Sequence, residues 1–85
     1  MDRMAYLFCV DGSTRTQLAF ESHLGRVVGN FERLPGRPFY LSGGRGNFYV
    51  AVLPANVENN QPLREIRDFK APADTSMIIY PLVRV

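Results

Sequence analysis

The chain has 85 residues and a formal net charge of +2, with 46% hydrophobic and 21% charged residues. That length accommodates one domain over residues 1–85 with one core, and the composition excludes global disorder. A domain this small has a modest stability margin and little volume for a deep substrate cleft, which argues against an elaborate enzyme.

The positive charge is carried by arginine, with Lys70 the single lysine among ten basic residues. A nucleic-acid binder usually shows a denser basic stripe, whereas arginine suits protein interfaces because its planar guanidinium stacks and forks onto carboxylates. Cys9, the single cysteine, has no partner for an internal disulfide and fits a reducing cytoplasm. The apolar run before Asp11 is too short for a signal peptide, and no stretch approaches the length of a membrane span. The expected setting is the cytoplasm of a bacterial host, without membrane insertion.

Residues 5–10 are rich in strand-favouring side chains and stop at Asp11-Gly12, a hairpin signal because both residues tolerate positive φ. The partner strand is expected over 15–21, where Leu18 and Phe20 alternate with polar or small neighbours. Leu24, Val27, Val28 and Phe31 then fall on one helical stripe, which predicts a helix over 23–34 capped by Ser22 and ended by Leu34-Pro35-Gly36. Gly25 and Gly29 weaken that helix, so packing on a sheet must hold it.

A loop follows, with Phe39, Tyr40 and Leu41 expected under the helix end. Residues 48–53 form an apolar run read as a central strand ended by Pro54. Residues 56–72 are mostly polar, with a helical turn around Leu63 to Ile66. Residues 77–83 form the last strand, where Pro81 predicts irregular pairing near the end. The expected class is α+β: a mixed sheet of about four strands in ββαββ order, with one helix on one face.

That order is similar to the β-grasp, or ubiquitin-like, fold, and the tail from Ala73 to Val83 resembles the end of its sulfur-carrier branch. Carrier chemistry needs a terminal Gly-Gly that threads into an adenylating site, whereas this chain closes Val83-Arg84-Val85. A closer resemblance is to the lambda-type phage tail tip assembly protein I family. It rests on Leu18-Ala19-Phe20-Glu21-Ser22 leading to Leu34-Pro35-Gly36, on Phe48-Tyr49-Val50-Ala51-Val52, and on Ile78-Ile79-Tyr80-Pro81. The resemblance implies a non-enzymatic protein-binding module acting in tail assembly. The alternative is a small phage or prophage regulator that mimics a tail component. It would block assembly, as in superinfection exclusion, or inhibit a host protein.

No residue set carries a catalytic, cofactor or metal site. His23 is the single histidine, adjacent to Ser22 in sequence and far from Cys9, and one His with one Cys cannot complete a zinc site. Gly43-Gly44-Arg45-Gly46 lacks the lysine and Ser/Thr of a phosphate loop. Protein contact is instead expected at Tyr6, Tyr49 and Tyr80 on an exposed sheet face, where tyrosines should dominate. A second candidate is a small-residue surface of Gly25 and Gly29 framed by Arg26 and Arg33. The positive edge of Arg33, Arg37 and Arg45 is the contact loop, and a nucleic-acid site in the weaker alternative. Partners are thus phage tail components or a host protein, and the sequence leaves the oligomeric state open.

Overall fold

A computed structural model describes residues 3–35, 46–55, 60–70 and 75–85. Strand β1 (Arg3–Asp11) leads into helix α1 (Thr14–Val28), a short strand β2 (Glu32–Arg33), strand β3 (Asn47–Pro54), helix α2 (Gln61–Arg67) and strand β4 (Ser76–Arg84). The sheet order is β2-β3-β1-β4, and every neighbouring pair is antiparallel. The class is α+β with four strands, as expected. The order is βαββαβ and the sheet is not mixed, so this is the split-βαβ (ferredoxin-like) arrangement and not the ββαββ order of a β-grasp.

The difference arises at residues 14–21, which are helix and not strand. Ser13 is the N-cap, its hydroxyl accepting from the Thr16 N–H at 3.2 Å. Asp11-Gly12 therefore opens a strand-to-helix connection where a hairpin turn was expected. Thr16, Phe20 and Leu24 recur every fourth residue and are fully buried, while Leu18 points to solvent. Ser22, expected as the cap, lies inside the helix and is exposed. The helix stops at Val28 and not near Leu34, because Gly29 takes φ +80° and donates its N–H to the Gly25 carbonyl at 2.9 Å.

Helix α2 extends the turn expected at Leu63 to Ile66. Asn60 caps it by accepting from the Leu63 N–H at 3.3 Å, and its amide donates to the Pro54 carbonyl at 2.6 Å. One buried side chain thus ties the end of β3 to the start of α2. Both helices pack on one sheet face, where Phe20, Leu24 and Ile66 meet Tyr6, Phe8, Val10, Tyr49, Ala51 and Leu53. On the other face Leu7, Cys9 and Phe48 form a second buried cluster with Leu34 and Val50 against it. Residues 5–10 of β1 are therefore buried on both faces. In β4 the expected irregularity is present: Ala5 pairs Val83 and Tyr6 pairs Pro81, so Leu82 is an extra, bulged residue.

Three glycines carry different burdens. Gly46 sits at φ +104°, and a Cβ there would lie 2.7 Å from the Val10 carbonyl carbon. Gly29 has open space but the same sign of φ, while a Cβ at Gly25 would meet only Phe31 at an ordinary 3.6 Å. Gly46→Ala should lose about 2 kcal/mol or more and Gly29→Ala about 1 kcal/mol. Gly25→Ala should gain roughly 0.5 kcal/mol. Urea midpoints of the three variants check the ranking, and a Gly46→Ala protein as stable as the wild type would contradict this backbone.

Candidate functional site

The side chains able to do chemistry lie apart and are already engaged. His23 Nε2 donates to the Glu65 carbonyl at 2.7 Å, and its ring lies against Phe69 with centroids 5.3 Å apart, so the histidine joins α1 to α2. Cys9 is buried in β1, and that burial pushes its thiol pKa up, away from the reactive thiolate. Among the described residues no group of three or more His, Cys, Asp and Glu side chains is placed to hold a metal ion. No described helix is long and apolar enough to cross a membrane.

A polar network inside the fold centres on Glu21. Its Oε2 accepts from the Tyr49 hydroxyl at 2.8 Å and from Gln17 Nε2 at 3.2 Å, and lies 3.7 Å from Arg33 Nη1. Arg33 also donates to Asn47 Oδ1 at 3.1 Å. Register explains the meeting: Arg33 lies opposite Tyr49 across β2 and β3, so both project to the helix side, where Glu21 descends from α1. Burial pushes the Tyr49 phenol well above its ordinary range, and the hydrogen bond to Glu21 and that carboxylate's charge push the same way. The network fastens β2 to α1.

The expected contact residues do not gather. Tyr6 and Tyr49 are buried under the helices at 8% and 0% exposure. Among the described residues, tyrosines therefore do not dominate the exposed apolar set, whose one tyrosine is Tyr80 on the opposite face. Gly25 is half-buried beside Phe31, and Arg26 is exposed in the last turn of α1. Gly29, as the positive-φ cap, takes no side chain without strain, so leucine there would not probe a surface cleanly. Arg33 is spent on Glu21 and Asn47. Arg37, Arg45, Phe39, Tyr40 and Leu41 lie outside the described residues.

What is exposed lies along β4. Ile78 is 52% exposed, Tyr80 37%, Leu82 38% and Val83 61%. Ile78, Tyr80 and Val83 stand opposite Cys9, Leu7 and Ala5, so all three share the face away from the helices. β4 is also the last strand of the sheet, and between Ser76 and Val83 it carries no charge. At the other edge, where β2 has ended, a cleft of about 630 Å³ lies along β3, with Phe31, Val50 and Val52 in its walls and Arg3 and Glu32 supplying opposite charges.

Leu82 and Val83 were not among the expected contact residues, and the exposure of Ile78 beside Tyr80 depends on sheet order and register. Pro81 was the available signal. It faces the non-bonded position against Tyr6, so its missing N–H falls on the free side, where proline is tolerated in a sheet. Comparison with family models, curated proteins and solved structures finds no match.

A tyrosine whose pKa is raised by folding contributes stability fully below its unfolded pKa, here 10.0, and loses it as the pH climbs toward the folded value. Cys9, raised from 9.0, acts in the same direction. The unfolding free energy should therefore fall above about pH 9–10, by at most about 1.4 kcal/mol per pH unit for each group. Tyr49→Phe should flatten that fall. Equal slopes in Tyr49→Phe and wild type, by urea titration across this range, would remove Tyr49 as a source.

Proposed function

We propose that this chain is a protein-binding module that works without catalysis, through the apolar surface of β4. The observation that carries the reading is an edge strand of nine residues with four half-exposed apolar side chains and no charge until Arg84. Proteins normally blunt such an edge with charge, a bulge or a cover, since its free N–H and C=O groups template another strand. Here the bulge at Leu82 and Pro81 guard only the final third. A strand or apolar surface of another polypeptide satisfies both the backbone groups and the side chains.

Two observations weigh on the alternatives. His23 and Cys9 are held in structural roles, which supports a non-catalytic reading. Arg33 already faces a carboxylate, which weakens the case for a phosphate-binding edge built on it. Action in phage tail assembly, or interference with it or with a host protein, is the second reading. It is supported by the sequence resemblance alone. The strand quoted for that resemblance at Leu18 to Glu21 is helical here, so it draws its remaining support from Leu34-Pro35-Gly36, Phe48 to Val52 and Ile78 to Pro81.

A photo-reactive phenylalanine analogue at position 80 tests the surface directly in producing cells. It should give a covalent adduct with a polypeptide, while the same group at Arg67 on the far side of α2 should not. The mass of the adduct then separates a tail component from a host protein. Equal or absent cross-linking from both positions would remove β4 as the binding surface.

A further inference from the structure

Among the described residues, both helices close the helix-side core, and the second cluster buries Leu7, Cys9 and Phe48. Apart from Leu18, isolated on α1, the exposed large apolar side chains of the described residues lie on β4 and at Val85 just after it, so the geometry points to an occupant that continues the sheet. We propose that this occupant is a second copy of the chain, paired antiparallel through β4 about a two-fold axis at Ile79. The proposal rests on the reading of β4 as a protein-binding surface and names what binds there.

The register follows from the backbone. Val85 donates its N–H to the Arg3 carbonyl at 2.9 Å, so Arg3 turns its backbone groups toward β4, and Ala5, Leu7 and Cys9 do the same by alternation. Their partners Val83, Tyr80 and Ile78 spend their backbone groups on β1. The N–H and C=O of Met77 and Ile79, and the C=O of Pro81, therefore point outward. An isologous pairing requires that residue i meet j while j meets i, which an antiparallel strand does with itself. Setting Ile79 against Ile79 gives a doubly bonded pair there. On each side Met77 N–H meets the Pro81 carbonyl, so the missing proline donor removes one bond and not the ladder.

Side chains and charge agree with that register. It places Ile78 of each copy opposite Tyr80 of the other on the exposed face, an aromatic against a β-branched side chain. Nothing charged lies between Thr75 and Val83 to repel a copy. Arg84 closes the stretch, so antiparallel pairing sets the two copies' arginines at opposite ends, where an in-register parallel pairing would bring them together. Strand pairing covers the flanks of Ile78 and Tyr80 and leaves their outer surfaces open, so only part of the exposed apolar area is buried in the pair. An interface confined to one strand per copy falls below the roughly 1,200–2,000 Å² of a standard interface, so the dimer should be weak and reversible.

Sedimentation equilibrium of the full chain, up to about 1 mM so that a weak dimer is populated, tests this. The wild type should approach twice its 9.6 kDa. Ile78→Lys and Tyr80→Glu should each raise Kd at least ~10-fold with nearly unchanged thermal melts, because both positions face solvent in the single chain. An equimolar mixture of the two should recover dimer, since the ammonium introduced in one chain then faces the carboxylate introduced in the other. A wild type that stays at 9.6 kDa, single variants that dimerise as well as the wild type, or a mixture that does not recover would each overturn the proposal. A monomeric wild type that still cross-links from position 80 to a different polypeptide would overturn it too, and would leave β4 standing as a protein-binding surface.

Discussion

Phe20 is the side chain on which the two layers meet. It is fully buried in the middle of α1, with the rings of Tyr49, Phe69 and Phe8 at centroid distances of 5.3, 5.4 and 6.3 Å. Those three rings belong to β3, to the chain just beyond α2, and to β1. One aromatic thus holds the first helix across the two central strands and against the second helix. Contacts then pass outward in both directions: Tyr49 takes Phe31 edge-on, and Phe69 takes the His23 ring. Tilted and edge-on contacts of this kind add to plain area burial and restrict orientation, which area alone does not do. The Glu21 network sits beside this hub, one residue along α1, and adds a polar tie to β2.

That hub requires both helices on one face, and the topology supplies this. Each helix carries the chain across one strand position, α1 past that of β3 and α2 past that of β1, so β1 and β3 become central and the two edges fall to β2 and β4. The burial of β1 on both faces follows, as does its nearly unbroken apolar sequence from Ala5 to Val10. The same logic leaves β4 with one neighbour and a face that the helices never reach.

How much of this was legible depended on how many residues carried each signal. The strands at 5–10, 48–53 and 77–83 were each announced by a run of apolar residues, and each appears within two residues of the expected limits. The strand at 15–21 rested on Leu18 and Phe20 alone, and two positions cannot distinguish a period of two from one of 3.6. Thr16 decided the matter. A buried threonine, bonded to both Ser13 and Thr75, begins a helical stripe that hydrophobicity alone does not reveal. A glycine within a helical pattern signals weakness in the sequence, whereas Gly29 is the residue that ends the helix. For the surface, Tyr6 and Tyr80 lie on opposite faces of neighbouring strands, separated by register and by the bulge at Leu82. Composition marks tyrosines as good contact residues but says nothing about which of them a helix covers.

The two sheet edges make the strongest argument about what the fold leaves undone. The β2 edge is two residues long, both are charged, and Arg33 folds back over it to Asn47 and Glu21. Short length and charge are the ordinary protections against strand addition. The β4 edge has more than four times that length, no charged side chain before Arg84, and isoleucine, tyrosine and valine on its outer face. A chain of this size has little stability to spare, and unprotected apolar edges invite disordered aggregation as readily as ordered pairing. Retaining one protected edge and one bare edge in the same sheet is therefore consistent with a surface kept for binding. The position of Pro81 fits the same view: it weakens unlimited strand addition at one end of β4 while leaving the Met77 and Ile79 donors available.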